Sequence, residues 1–182
     1  MIHISTDCVF SGQRGGYAET DTPDAADLYG RTKQLGEVSG DGCLTLRTSI
    51  IGRELSTSHG LVEWFLARQG AIPGYTHAVF SGMTTAELSR VILRVIEDHP
   101  VLTGVYHIAT EPITKHDLLV RLNEALGRGA TIQPDASVRI DRSLDGRRFA
   151  AATSYAAPRW DRMIEELSAD VPAYEPWRLH AR

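Results

Sequence analysis

Apolar residues change spacing along this chain, and the changes predict alternating strands and helices. Residues 2–5 form a short apolar run that reads as a strand, and residues 11–27, rich in Gly, Asp, Thr and Pro, read as a polar loop. A helix follows over 28–38, stopped at Ser39, Gly40, Asp41 and Gly42. Residues 43–51 alternate and then close on Ile50 and Ile51, which predicts a second strand. Two parallel strands joined by one helix are part of a doubly wound sheet. Beyond Gly52, residues 61–68 predict a helix closed by Gly70. Thr84, Thr85, Ala86 and Glu87 fit a capping box. Leu88, Val91, Ile92 and Val95 then recur at helical spacing as far as His99, before Pro100. Residues 104–109 are a β-run, and the stretch from Thr114 to Asp117 caps a helix carrying Leu118, Leu119, Leu122 and Leu126, ended by Gly127. A short strand over 131–140, a charged loop running from 141 through Arg147 and Arg148, and a last helix over 160–167 complete an α/β pattern. The tail after Val171 is loosely specified, and there is no internal repeat.

Composition narrows the class. A chain of 182 residues is one domain, or one and a part. Its 42% hydrophobic and 23% charged content is ordinary for a globular protein. A net charge of −4 with no basic run argues against nucleic acid or an anionic membrane as partner. No apolar run approaches the roughly 18 residues of a membrane span and no leader pattern is present, so a cytoplasmic location is expected. Cys8 and Cys43 each fall in a predicted strand without metal or redox spacing, and read as small buried hydrophobes. The seven histidines are dispersed, so no metal site is expected.

The chemistry collects near the start. Thr6 ends the first strand, and Tyr29 and Lys33 lie four apart at the start of the first helix, on one face. An ammonium beside a phenol favours the phenolate, so the phenol can exchange a proton with a substrate oxygen while a Thr hydroxyl bonds the same oxygen. A carbonyl reductase taking hydride from a nicotinamide needs this set. The same spacing also suits a tyrosine packed at a helix start beside a solvated lysine. The chain has only two lysines, Lys33 and Lys115, against seventeen scattered arginines.

The flanking residues add to this. The run ISTDCVF (4–10), then YGRTK (29–33), LRTSIIG (46–52), FSGMTT (80–85), GVYHI (104–108) and DRSLD (141–145) together resemble the extended short-chain dehydrogenase/reductase family, and within it the dTDP-4-dehydrorhamnose reductases. The resemblance spans nearly the whole chain. It implies the C-terminal part of a doubly wound, Rossmann-type parallel sheet fused to a small α/β substrate-binding subdomain. Residues 1–52 would be a remnant of the cofactor-binding domain and residues 53–182 the sugar-nucleotide part. By position it makes Thr6, Tyr29 and Lys33 catalytic, and brings Ser5, Tyr29 and Lys33 to NADPH or NADH. It assigns Asp7, Cys8, Val9, Phe10, Arg47, Ser49 and Arg142 to the substrate, Arg142 as a fork for a diphosphate. A salt-bridged loop is the plainer reading of Arg142, and a core aromatic that of Trp64, which could instead stack on a nucleotide base.

Two departures stand out. Cys8 occupies a position where the family has Tyr, and no GxxGxxG turn is present. The only early glycine cluster, Gly12, Gly15 and Gly16, leads into a polar stretch broken by Pro23 and reads as a loop. About 100 residues of strands and crossover helices would then be missing. The expected function is NAD(P)H-dependent reduction of a 4-keto sugar nucleotide by a truncated form not competent alone. An epimerase- or dehydratase-type enzyme shares the triad. A non-catalytic or regulatory subunit fits the missing phosphate site, with a homodimer or partner chain covering the open sheet edge. A misassigned start codon or a decayed gene would also give this sequence; retention of the whole triad favours a recent truncation or a misassigned start.

Overall fold

The computed structural model describes residues 1–57 and 59–180. Strand β1 (Ile2–Thr6) runs into a single 3-10 turn (Asp7–Val9), a long loop, and helix α1 (Leu28–Leu35). After it come β2 (Leu44–Thr48), β3 (Ile50–Ile51), α2 (Leu61–Leu66), β4 (Ala71–Phe80), β5 (Met83–Thr84) and α3 (Thr85–Asp98). The chain continues through β6 (Gly104–His107), β7 (Ile113–Thr114), α4 (Lys115–Ala125), β8 (Thr131–Asp141), α5 (Arg147–Thr153) and α6 (Trp160–His180).

β1, β2 and β6 form a parallel sheet in that order, with Ile2 opposite Leu44 and Thr6 opposite Thr48, and Leu44 opposite Gly104. β2 lies in the middle and is buried at all five positions, the continuous burial expected where both faces are covered. β1 is an edge strand. β6 comes from beyond residue 52, so the first sheet is completed by the later part of the chain. β3 pairs with β5, and β4 pairs with β8 in parallel and with β7 antiparallel. One large core joins these layers, including Leu46, Phe65, Ile108, Leu119, Phe149 and Met163. A second small core of Val9, Phe10, Tyr17 and Leu144 sits under the 11–27 loop, where the Phe10 and Tyr17 rings stack with centroids 4.2 Å apart.

Several expected bounds shift, each for a local reason. α1 stops at Leu35 rather than 38, because Gly36 closes it and Glu37 turns inward to meet Arg47. The strand expected over 43–51 breaks at Ser49, whose carbonyl takes Met83 N–H at 2.9 Å, and its last two residues join a different sheet. Neither cysteine lies in a strand or is fully buried; Cys8 is in the 3-10 turn and Cys43 precedes β2. The ten-residue β4 had no expected counterpart, since Pro73 and Gly74 mask its alternation. β7 reaches only Val79 and Phe80, which leaves the Pro73 stretch at an edge where proline is tolerated. Arg147 and Arg148 open a helix rather than continue a loop, and the last helix runs to His180. Trp64 packs partly buried against the large core, with the Arg68 guanidinium 5.3 Å from its ring.

A buried ion pair crosses the base of the sheet. Glu37 takes two bonds of 2.7 Å from Arg47 and one of 2.7 Å from Ser5 Oγ. Burial disfavours the Glu37 charge, but these bonds outweigh it and hold the carboxyl below its ordinary range. A depressed acid stabilises the fold above its unfolded value and loses that contribution as pH falls. Glu37→Ala strands the Arg47 guanidinium and is expected to cost about 3–5 kcal/mol in urea unfolding at pH 7. The gap between Glu37→Gln and wild type should narrow as pH falls below the glutamate range.

Candidate active site

Thr6 ends β1 and caps the 3-10 turn: its Oγ1 accepts Cys8 N–H at 3.1 Å and donates to Asp7 Oδ1 at 3.2 Å. α1 enters beside it. Asp27 caps this helix by accepting Gly30 N–H at 2.8 Å. Gly30 lets the first turn close on the carbonyl of Cys8; a Cβ there would lie 2.2 Å from that oxygen. Tyr29, one residue earlier, is 57% exposed, and Lys33, one turn later, donates from Nζ to Ile4 O at 2.7 Å.

These elements frame a cleft of about 280 Å³ lined by residues 4–8, Tyr29, Lys33 and residues 48–50. The structure thus gathers Ser5, Thr6, Asp7, Cys8, Tyr29, Lys33 and Ser49. The remaining candidates lie elsewhere. Val9 and Phe10 are buried in the small core. Arg47 points away into Glu37 and His107, with its guanidinium 5.3 Å from the Phe10 ring. Arg142 lies behind the turn, donating to Phe10 O at 3.0 Å and to Cys8 Sγ at 3.3 Å, with Asp27 at 3.7 Å. Motifs 130 residues apart meet here, because the 11–27 loop is pinned to the 141–145 loop. Tyr17 N–H bonds Ser143 O, Asp145 N–H bonds Tyr17 O, and Gly16 N–H bonds Ser143 Oγ.

The electrostatics single out Asp7. It is 4% exposed, takes no ion pair within 4 Å among the described residues, and is held only by short polar neighbours. Burial pushes its carboxyl up, and the Cys8 and Thr6 hydrogen bonds with the charges of Arg142 and Lys115 offset only part. Burial and the Asp7 charge also push the Cys8 thiol up. Lys115, at the start of α4, belongs to this cluster and was not among the sequence candidates; its rarity as one of two lysines was the available signal. Gly30, Asp27 and Glu37 were missed too, since their roles depend on contacts across the fold.

For a nicotinamide dinucleotide, the exposed Tyr29 phenol and the Lys33 ammonium suit the nicotinamide ribose. The pyrophosphate needs a glycine-rich strand–turn–helix, which is not found among the described residues. Gly12 and Gly15 close instead on Ile140 and Asp141. Among the described residues no three His, Cys, Asp or Glu side chains are grouped to hold a metal ion, and no helix is long and apolar enough to cross a membrane.

Comparison with known proteins finds a family model, RmlD substrate binding domain, matching residues 1–167. The chain is 28% identical over 155 residues to the probable low-salt glycan biosynthesis reductase Agl14 of Haloferax volcanii, covering 78% of this chain and 51% of that protein. It is 30% identical over 145 residues to methionine adenosyltransferase 2 subunit beta of Danio rerio, covering 69% and 43%. A dTDP-4-dehydrorhamnose reductase from Bacillus anthracis, solved in complex with NADP, superposes with a TM-score of 0.80 at 20% identity, over 93% of this chain and 65% of that one. The chain spans about half the length of these two curated relatives.

A carboxyl whose folded pKa is raised destabilises the fold once pH exceeds its unfolded value of 3.8. Asp7→Asn, which keeps an acceptor for Thr6, should therefore raise the thermal midpoint at pH 7 by a few degrees. The difference should close as pH falls through 4, measured by circular dichroism.

Proposed function

Because the chain belongs to the RmlD substrate binding domain family, we propose that it carries the proton-transfer and sugar-binding half of an NAD(P)H-dependent reductase acting on a 4-keto sugar nucleotide of the dTDP-4-dehydrorhamnose type. The observation that carries this reading is the convergence of Thr6, Tyr29 and Lys33 on one open cleft at the end of a parallel strand. Thr6 Oγ1 orients the carbonyl by turning its proton from Asp7 to the substrate oxygen. The Tyr29 phenol protonates that oxygen as the alkoxide forms. Lys33, with one donor on Ile4 O, keeps two for the Tyr29 side and the cofactor ribose. A reduced nicotinamide bound there would supply hydride. Of the residues lining the cleft, Asp7, Cys8 and Ser49 would meet the sugar and Ser5 the cofactor.

The pyrophosphate cradle and further strands would come from a polypeptide pairing along the open edge of β1, and the protein would work in the cytoplasm. A second reading is favoured by the zebrafish relative, which is named as a subunit of a different enzyme. In that reading the cleft binds a sugar nucleotide without turning it over.

The test joins binding to turnover. The 182-residue chain should bind dTDP-glucose by calorimetry while binding NADPH weakly alone. NADPH oxidation with a dTDP-4-keto sugar should appear once a cofactor-binding half is supplied. In that assembly Tyr29→Phe should lower turnover by about 10²- to 10⁴-fold with sugar-nucleotide binding unchanged. Full turnover by Tyr29→Phe would sink the mechanism, and binding without any turnover would favour the subunit reading.

A further inference from the structure

The fold brings both lysines of the chain near the end of β1. Lys33 arrives from α1 and is anchored on Ile4 O. Lys115, the first residue of α4, arrives from the β4–β7–β8 side, its ammonium 4.4 Å from the centre of the Phe80 ring. It lies near enough to Asp7, Cys8 and Arg142 for their charges to act on it. Among the described residues it takes no hydrogen bond and no ion pair within 4 Å. Its neighbour Arg142 differs, since that guanidinium is already engaged by Phe10 O, Cys8 Sγ and Asp27.

This placement is unfavourable by itself. Burial pushes the ammonium below its ordinary range, with Asp7 and Cys8 opposing only in part. Its three N–H donors meet no protein acceptor among the described residues. A cation in the first turn of a helix also sits at the positive end of the helix dipole. Packing against Phe80 recovers some of this through cation–π attraction, but a methionine would pack there without the charge. A ligand with negatively charged oxygens would supply the acceptor that neither the core nor the helix provides.

We propose that Lys115 is a substrate-anchoring residue that donates to an anionic oxygen of the ligand seated over the Thr6–Cys8 turn, either a phosphate of the nucleotide diphosphate or a carboxylate on the sugar. The assignment rests on the sugar-nucleotide reading above and deepens it. In this assignment Lys33 serves the proton-transfer side and Lys115 the substrate side.

Having two lysines makes the test direct. Reductive methylation with carbon-13 formaldehyde keeps each amine's charge and labels Lys33, Lys115 and the N-terminus. The single variants Lys33→Arg and Lys115→Arg assign the two lysine resonances. Inorganic pyrophosphate, dTDP, dTDP-glucose and UDP-glucuronate are titrated in turn, with calorimetry recording total binding. The Lys115 resonance is expected to shift saturably, and Lys115→Met to weaken the same ligand about 10- to 100-fold, the effect of losing a charge-assisted hydrogen bond. A response to dTDP as large as that to dTDP-glucose assigns the diphosphate, and a response to UDP-glucuronate alone assigns a sugar carboxylate. Calorimetric binding with a stationary Lys115 resonance, or with full affinity in Lys115→Met, overturns the proposal and leaves the sugar-nucleotide reading standing. A shift with pyrophosphate but no binding of any sugar nucleotide keeps the anion site and overturns that reading. Silence toward every ligand overturns both.

Discussion

The closeness of α1 to the carbonyl of Cys8 is the constraint on which the site depends. Only Gly30 of that helix is buried, while Leu28 and Leu35 are 78% and 82% exposed. Eight residues do not hold a helix in water by themselves. What holds this one is the missing side chain at Gly30, the Asp27 cap and the Lys33 bond to β1. Each acts within a turn of Tyr29, so the phenol is placed by contacts that the motif itself supplies. Few apolar contacts also put this helix at the less stable end of the fold, where elements that must admit a ligand are drawn from.

Beneath the cleft, polar groups do what apolar packing does elsewhere. Ser5, Glu37, Arg47 and His107 form a chain across β1, β2 and β6, and His107 continues it into the 11–27 loop through Tyr17 O and Glu19. Burial lowers the His107 pKa, so the ring is neutral at pH 7. The proton then belongs on Nδ1, which faces the Tyr17 carbonyl at 2.9 Å, leaving Nε2 to accept from Arg47. Arg47 therefore supports the strand that carries Thr6 instead of reaching into the cleft. Arg142 does similar work from the other side, tying the α1 cap to the turn. Both arginines read from sequence as substrate contacts, because a guanidinium in a motif gives no sign of which way it faces.

What was legible in the sequence follows from how local each cause is. Helices α3 and α4 were readable to within a residue or two, because Thr84 and Thr114 cap them through bonds to Glu87 N and Asp117 N three residues on. That Thr6, Tyr29 and Lys33 would line one cleft was readable because spacing on one strand end and one helix face places them. β4 was not, since its alternation is interrupted by Pro73 and Gly74 and its partner β8 lies some sixty residues away. The break at Ser49 was equally hidden: it depends on Gly82, where a Cβ would fall 2.3 Å from the Ser49 carbonyl. Val9 and Phe10 sit in a motif that touches substrate by resemblance, yet their side chains turn to Tyr17 and Leu144. A turn sends neighbouring residues in different directions, and sequence position alone cannot choose among them.

Buried charge separates scaffold from site in this protein. Arg47 with Glu37 and Arg53 with Glu63 are each matched with a partner in direct contact, the arrangement that makes a buried ion tolerable. Asp7 and Lys115 are close enough to feel one another's charge, yet they form no ion pair within 4 Å. Were their purpose structural, a shorter separation would serve the fold better, since each now bears a desolvation cost that contact would offset. Holding them apart leaves an acceptor, Asp7, lining a cleft that also contains Thr6 and Tyr29, and a donor, Lys115, close enough to feel its charge. Consistency of local and global preferences fails at this cluster, and such failures concentrate where a protein binds or reacts. The stability left unclaimed between Asp7 and Lys115 is the physical reason to look for the ligand there.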